Sequence, residues 1–161
     1  MEIKRTAIYP GTFDPVTFGH IDIMTRALNL FDKLVVGVAD SPKKDPIFSL
    51  EERVTFIQKA VSGLNYIEVS PFENLLIDFA TKHHATIIIR GLRAVTDFEF
   101  ELQMGLMNRN LNESIETMFM IPSQEYSFLS SSFVKEIARH GGDISKMVPK
   151  SVLKGIKKLQ P

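Results

Sequence analysis

The sequence predicts an α/β fold, a doubly wound parallel sheet of five strands with helices on both faces. Three observations predict it. Apolar runs of strand length alternate with segments of helical period, so each strand is joined to the next by a crossover helix. Leu34-Val-Val-Gly-Val-Ala39 carries no polar alternation, as a strand buried on both faces requires. The residue types that bind ligands cluster just after strands one, four and five, at the carboxyl edge where open sheets of this kind bind.

Taken in order, Ile3 to Tyr9 is the first strand. Ile21, Met24, Ala27, Leu28 and Phe31 recur at helical spacing and form the first helix. Leu34 to Ala39 is strand two, and Ser41-Pro-Lys-Lys-Asp-Pro46 a polar loop. Ser49 with Glu52 three residues on has the form of a capping box, opening a helix with Val54, Ile57 and Val61 on one face. Tyr66 to Val69 is strand three, Asn74 to His83 a helix, and Thr86 to Ile89 strand four. Asp97 to Asn110 is a long helix, Thr117 to Ile121 strand five, and Ser130 to Arg139 a further helix. A turn near Ile144 to Met147 and a helix after Pro149 form a C-terminal helical extension. The pattern is Rossmann-like, and an order of 3-2-1-4-5 makes strands one and four neighbours at the switch point. The 161 residues, without repeat or linker, are expected to form one domain, 1–161.

Composition removes several function classes. Lys plus Arg and Asp plus Glu balance at 19 each, so bulk charge points neither to nucleic acid nor to an anionic membrane. The absence of cysteine excludes disulfides, thiolate metal sites and a cysteine nucleophile. Met1-Glu-Ile-Lys-Arg5 lacks the pattern of a signal peptide and is expected to enter a strand directly. No run approaches the roughly 20 apolar residues of a membrane span, so a cytoplasmic protein is expected. The sequence contains no Gly-x-Gly-x-x-Gly after strand one, no P-loop and no Gly-x-Ser-x-Gly elbow, which argues against dehydrogenase, P-loop kinase and hydrolase chemistry.

Four segments carry chemistry. Gly11-Thr-Phe-Asp-Pro15 and Thr17-Phe-Gly-His20 join strand one to a helix whose free N–H groups and positive pole suit phosphate. A Gly-His pair alone is ordinarily a turn and an exposed side chain, but one helix start does not need this much turn chemistry. Arg90-Gly-Leu-Arg93 puts two guanidinium forks, which match phosphate oxygens, at the mouth of strand four. Ser130, Ser131 and Ser132 supply more hydroxyls than one N-cap requires. Lys43 and Lys44 lie in the loop after strand two, and either is a candidate phosphate ligand. Glu99 and Glu101 point in different directions on their helix and are no acid–base pair, and His83, His84 and His140 read as residues at helix ends without metal-ligand spacing. Phe98, Phe100, Leu102, Leu106 and Met107 make the long helix apolar on more than one face, as a buried helix or a subunit contact would be.

Together these segments resemble the bacterial phosphopantetheine adenylyltransferase family of the T/H-x-G-H nucleotidyltransferase superfamily. The likeness runs in order through Tyr9–Pro15, Thr17–His20, Phe48–Arg53, Ile89–Ala94, Asp97–Glu101, Ser127–Ser132 and Val134–Glu136. T-x-G-H marks the superfamily, whereas Arg-Gly-Leu-Arg with the triple serine is more specific. Two departures are Phe18, where the family usually has asparagine, and Asp40, where it commonly has a small residue. The resemblance implies reversible adenylyl transfer from ATP to 4′-phosphopantetheine, giving dephospho-coenzyme A and pyrophosphate by in-line attack of the substrate phosphate on the α-phosphorus.

It further implies a catalytic set of His20, Lys44 and Arg93. Thr12, Phe13, His20, Gly91, Leu92, Arg93, Glu101 and Tyr126, Ser127, Phe128, Leu129, Ser130, Ser131 and Ser132 would hold ATP. Thr12, Lys44 (rather than Lys43), Leu76 and Arg90 would contact the acceptor substrate. Mg²⁺ is implied as a partner bound mainly through ATP, with no protein metal site. Coenzyme A is implied as a feedback ligand, and the assembly as a homohexamer. The alternatives are another T-x-G-H nucleotidyltransferase, with nicotinate mononucleotide or glycerol 3-phosphate as acceptor, or a non-catalytic nucleotide-binding domain.

Overall fold

The computed structural model describes residues 5–159. Five parallel strands, β1 (Thr6–Gly11), β2 (Lys33–Ala39), β3 (Ile67–Phe72), β4 (Ile87–Gly91) and β5 (Glu116–Met120), form one sheet in the order β3-β2-β1-β4-β5. The helices are α1 (Phe18–Ala27), α2 (Leu50–Ala60), α3 (Leu76–Lys82), α4 (Val95–Leu111), α5 (Ser131–Arg139) and α6 (Lys150–Gly155). Short 3₁₀ turns lie at Pro42–Lys44, Gln124–Tyr126 and Ile156–Leu159. This is the expected Rossmann-like α/β architecture with its strand order and C-terminal helical extension. Among the described residues no helix is long and apolar enough to cross a membrane.

Successive strand residues serve opposite faces. Ala7, Tyr9, Leu34, Val36, Val38 and Ile89 pack with α1, α2, α5 and α6 in the larger core. Ile8, Val35 and Ile88 point the other way, onto Ile77, Phe79 and Ala80 of α3 and onto Ile115. Helix α4 lies on that second face, against β5, where Gly105 meets Thr117 and Phe98 packs edge-on to Phe119. The two faces differ in thickness, and much of α4's apolar surface, including Phe100, Leu106 and Met107, stays exposed.

Several boundaries differ from expectation for local reasons. The predicted start of strand one at Ile3, and the N-terminal Met1-Glu-Ile-Lys4, lie outside the described residues. At its other end β1 continues past Tyr9 to Gly11, because pairing with β2 persists to Gly11 opposite Val38. Helix α1 starts at Phe18 and stops at Ala27, after which Asn29 and Leu30 close tight turns onto the carbonyls of Arg26 and Ala27. Strand β3 runs through Pro71 to Phe72, which an edge strand tolerates because one side of its ladder is empty. Strand β4 includes Arg90 and Gly91, opposite Phe119 and Met120, so these residues belong to the sheet instead of the loop after it.

The sheet opens at its centre. Strand β1 pairs with β4 only at Ala7–Ile87 and Ile8–Ile88. Beyond them both strands run on, β1 to Gly11 and β4 to Gly91, without pairing. That divergence lies where strand order reverses, and it makes the crevice in which doubly wound sheets bind ligands.

Candidate active site

A cavity of about 360 Å³ fills the crevice. The loop after β1, the start of α1, Lys44, the end of β4, the start of α4 and the Tyr126–Ser132 segment with Lys135 all line it.

Its first wall is built locally. Thr17 is the N-cap of α1 and His20 its third residue, so T-x-G-H folds as a capping box with histidine in the usual glutamate position. The Thr17 N–H donates to His20 Nδ1 at 2.9 Å, and the His20 N–H donates to Thr17 Oγ1 at 3.4 Å. A ring nitrogen that accepts a backbone N–H carries no proton, so the neutral ring keeps its proton on Nε2. Burial, with Arg93 and Arg90 nearby, lowers the His20 pKa to about 4. The imidazole is therefore a neutral Nε2–H donor at physiological pH. Phe13, at a left-handed φ of 49°, packs its ring edge-on to His20 with centroids 5.0 Å apart. The Asp14–Pro15 peptide beside it is cis. Gly19 needs no unusual backbone, and a Cβ there would meet only ordinary contacts at 3.5 Å or more. The fold itself leaves that position open, which suits a ligand brought close to the helix end. Phe18 packs its ring near Tyr126, with centroids 6.2 Å apart.

The second wall is held from a distance. Arg90 Nε and Nη2 donate to the two Glu101 carboxylate oxygens at 2.7 and 2.6 Å, and Nη1 donates to Pro10 O at 3.0 Å across the gap between β1 and β4. Burial alone would lower the arginine's pKa, but Glu101 more than offsets it, and the pKa is raised. Three of the five guanidinium donors are thus fixed, and the rest of a rigid cation is left at the cavity. Glu101 spends both oxygens on Arg90 and acts through it. Arg93 donates to Leu129 O at 2.9 Å and to Asp97 at 3.3 Å, joining the start of α4 to the segment before α5. Tyr9 lies beneath these arginines, its hydroxyl pKa raised by burial against their opposing charge.

The third wall is the serine run, whose members divide the work. Ser130 caps α5, accepting from the Phe133 N–H at 3.1 Å. Ser131 Oγ donates to Pro15 O at 2.7 Å, tying α5 to the loop after β1. The Ser132 hydroxyl has no hydrogen-bond partner among the described residues, and the N–H groups of Ser131 and Ser132 have none either. Asp22 accepts from the backbone and hydroxyl of Ser123 at 2.8 and 2.7 Å, pinning the β5–α5 connection to α1. Burial would raise the Asp22 pKa, but the Ser123 bonds and Arg26 bring it below its ordinary value. Two helix N-termini, of α1 and α5, therefore meet at one cavity, a natural anion site.

Of the residues expected at the site, the structure gathers Thr12, Phe13, His20, Lys44, Arg90, Gly91, Arg93, Glu101, Tyr126, Leu129 and Ser130 to Ser132 around this cavity. Leu76, Leu92, Ser127 and Phe128 are not in its lining. Leu76 packs against the second core, and Leu92 donates its N–H to Met120 O. Ser127 closes its own turn onto Gln124 O, and Phe128 is exposed. Lys44 Nζ donates to Thr12 Oγ1 at 3.4 Å, whereas Lys43 does not line the cavity.

Sequence reasoning missed Asp14, Arg53 and Lys135. Asp14 accepts from the Ile47 and Phe48 N–H groups, both at 3.0 Å, and from Lys135 Nζ at 2.9 Å. Arg53 is 1% exposed and donates to four carbonyls. A charged residue amid the apolar face of α2 was the available signal for Arg53. The cavity's acidic groups are all engaged, Asp14 by Lys135, Asp97 by Arg93 and Glu101 by Arg90. Among the described residues, no three His, Asp or Glu side chains are grouped as ligands for a metal.

A doubly wound sheet with cationic side chains, two helix ends and an oriented histidine at its switch point suits a ligand rich in phosphate, as a nucleotide is. Residues 8–137 match the cytidylyltransferase-like family, and the chain belongs to it. Among solved structures it is similar to a protein of Vibrio parahaemolyticus provisionally described as a nicotinate-nucleotide adenylyltransferase. The two are 18% identical, with a TM-score of 0.66, over 98% of this chain and 91% of that one. At that identity the likeness is one of fold.

Proposed function

We propose that the protein transfers the adenylyl group of ATP to 4′-phosphopantetheine, giving dephospho-coenzyme A and pyrophosphate. The observation that carries this reading is the make-up of the cavity, where neutral His20, Lys44, Arg90, Arg93 and two helix N-termini converge without an activated nucleophile. Such a site suits a reaction whose nucleophile comes with the substrate and whose need is positioning and charge stabilisation. An oxygen of the acceptor phosphate, already anionic, attacks the α-phosphorus. The bond to the bridging oxygen breaks, and pyrophosphate leaves with the electron pair. His20 Nε2–H donates to the α-phosphate as charge builds, with Lys44 and Arg93 on the transferring phosphates. Thr12, the Phe13 backbone, Gly91 and Ser130 to Ser132 hold the nucleotide, Arg90 takes the acceptor phosphate, and Glu101 keeps Arg90 in place. Tyr126, Ser127, Phe128 and Leu129 border the adenine, and Leu92 backs the nucleotide. Leu76 is assigned to the pantetheine arm beyond the phosphate site. Mg²⁺ enters with ATP as part of the substrate, because the engaged carboxylates of the cavity do not fit a protein-held ion.

The choice of acceptor rests on Arg90-Gly-Leu-Arg93 together with the serine run. The exposed Phe100, Leu106 and Met107 of α4 support association of copies, for which we propose a homohexamer with coenzyme A as feedback ligand. The test is an acceptor panel. With ATP and Mg²⁺, 4′-phosphopantetheine is expected to release pyrophosphate, and nicotinate mononucleotide and glycerol 3-phosphate are not. Release with either of those instead would reassign the acceptor, and release with none would remove the activity.

A further inference from the structure

Lys44 sits in an exposed loop whose internal backbone bonds make one short turn, from the Lys44 N–H to Ser41 O and from the Asp45 N–H to Pro42 O. Between Ala39 and Phe48 the chain passes through two left-handed non-glycine residues, Ser41 at φ 52° and Asp45 at φ 46°. Such conformations persist only where the surroundings enforce them. The loop's 3₁₀ turn, Pro42–Lys44, is exposed and contributes nothing to the core. Its ends are fixed by the Asp40 N–H bond to Phe72 O and by two charged residues set beneath the loop.

Arg53, on the buried face of α2, is the first. Its Nη1 donates to Ala39 O and to Thr12 O, both at 2.7 Å, its Nη2 to Asp40 O at 3.0 Å, and its Nε to Phe48 O at 3.1 Å. One guanidinium thus holds the chain entering the loop, the chain leaving it, and the backbone of Thr12. Asp14 is the second. Its carboxylate takes the Ile47 and Phe48 N–H groups and ties them to Lys135 on α5. Thr12 and Asp14 are two residues apart in the loop after β1, so both clamps refer the Lys44 loop to the same piece of backbone. The outcome is seen at the cavity, where Lys44 Nζ reaches Thr12 Oγ1 at 3.4 Å and Thr12 Oγ1 reaches Ser41 Oγ at 3.2 Å.

We propose that Arg53 and Asp14 are positioning residues that clamp both ends of the 40–48 loop to the Thr12 backbone and so hold Lys44 over the transferring phosphates. Neither touches substrate, and both act through Lys44 and Thr12. The catalytic half of this inference rests on the reading of Lys44 as a phosphate ligand, whereas the clamp itself does not. Only an arginine makes this clamp. A lysine at 53 keeps the charge, but one ammonium with three donors cannot span four carbonyls spread over three segments.

The experiment has two arms on the full-length Arg53→Lys variant. In the first, trypsin digestion is followed by mass spectrometry for cleavage after Lys43 and Lys44. Cleavage there is expected to accelerate at least about tenfold over wild type, as a locally opened segment allows, while cleavage at other lysines keeps its rate. In the second, turnover is measured with and without Lys44→Ala. Arg53→Lys alone is expected to lower kcat/KM roughly 10- to 100-fold, the range that a displacement of about an ångström costs, and to add almost nothing once Lys44 is gone. Unchanged cleavage after Lys43 and Lys44 would overturn the clamp. A full additional loss in the Lys44→Ala background would overturn its action through Lys44. If neither wild type nor variant turns over substrate while the cleavage result holds, the reading of the reaction fails and the clamp stands. Should Arg53→Lys not fold, Asp14→Asn carries both arms, because it removes the charge from the second clamp with little change of shape.

Discussion

His20 is held by a residue three positions away, whereas Arg90 is held by Glu101 eleven positions away and by the carbonyl of Pro10, eighty positions away. The two face one cavity from opposite sides of the switch point, His20 on α1 after β1 and Arg90 in β4, and they differ in charge as well as in support. A backbone N–H keeps His20 neutral and aimed, and burial with neighbouring arginines keeps it from taking a second proton. Arg90 is a permanent cation made rigid by a carboxylate. The lesson is a division of labour. On the proposed reaction, the local device would supply a donor whose effect grows as charge develops in the transition state, and the long-range device a fixed charge for a phosphate already charged before the reaction starts.

If that division is real, the two walls break differently. The largest effect is expected for His20→Ala, which should lower kcat about 100- to 1,000-fold, or roughly 3–4 kcal/mol, with little change in the KM for ATP. An unchanged turnover number would take His20 out of the mechanism. Arg90→Ala should instead raise the KM for 4′-phosphopantetheine. It also leaves Glu101, 8% exposed, without its partner, and should cost about 3 kcal/mol of stability in denaturant unfolding. Replacing Glu101 as well, to give Arg90→Ala with Glu101→Gln, should return much of that stability and none of the binding. If only the ATP KM moved in Arg90→Ala, the assignment of the two substrate sides would be reversed.

Smaller effects sharpen the same contrast. Thr17→Ala keeps the backbone donor to Nδ1 but loses the hydroxyl that caps α1, so it should cost about 1 kcal/mol and leave the histidine tautomer intact. The pH dependence follows from the lowered pKa of His20, about 4 when folded against about 6.5 unfolded. Between those values the unfolded chain binds the extra proton. His20 therefore lowers stability progressively as the pH falls through that window, and its contribution is constant above it. The melting temperature of His20→Gln should fall less than that of wild type from pH 6.5 to pH 4.5, and parallel curves would show that the imidazole is not held neutral.

The local wall was legible in the sequence and the long-range one only in part. Alternating apolar runs revealed the sheet, because burial on both faces leaves no polar positions in Leu34–Ala39, and the doubly wound pattern supplied its order. The T-x-G-H turn showed itself by its spacing, although its nature as a capping box was missed because histidine replaces the expected glutamate. Arg90 and Arg93 stood out beside an apolar strand, but their partners Glu101, Pro10 and Leu129 are distant in the chain and carry no local signal. Glu101 reads from its own helix as a surface glutamate, and only the folded sheet shows that it pairs with Arg90 of β4. Asp14 looked like turn chemistry, and Arg53 stood in the Phe48–Arg53 segment with no role assigned, since only the closed loop shows what each one holds. Boundaries slipped where pairing outlasted the apolar pattern, as at Arg90 and Gly91, which remain in β4 because β5 runs beside them.

The central claim is adenylyl transfer from ATP to 4′-phosphopantetheine in which an oxygen of the acceptor's own phosphate becomes the bridge to the adenylyl group. The most direct measurement uses that acceptor with ¹⁸O in its phosphate, together with ATP and Mg²⁺, and weighs both products by mass spectrometry. The account predicts dephospho-coenzyme A that retains all the label, and unlabelled pyrophosphate. Loss of label from the nucleotide product, or no adenylylated product from this acceptor, would contradict it.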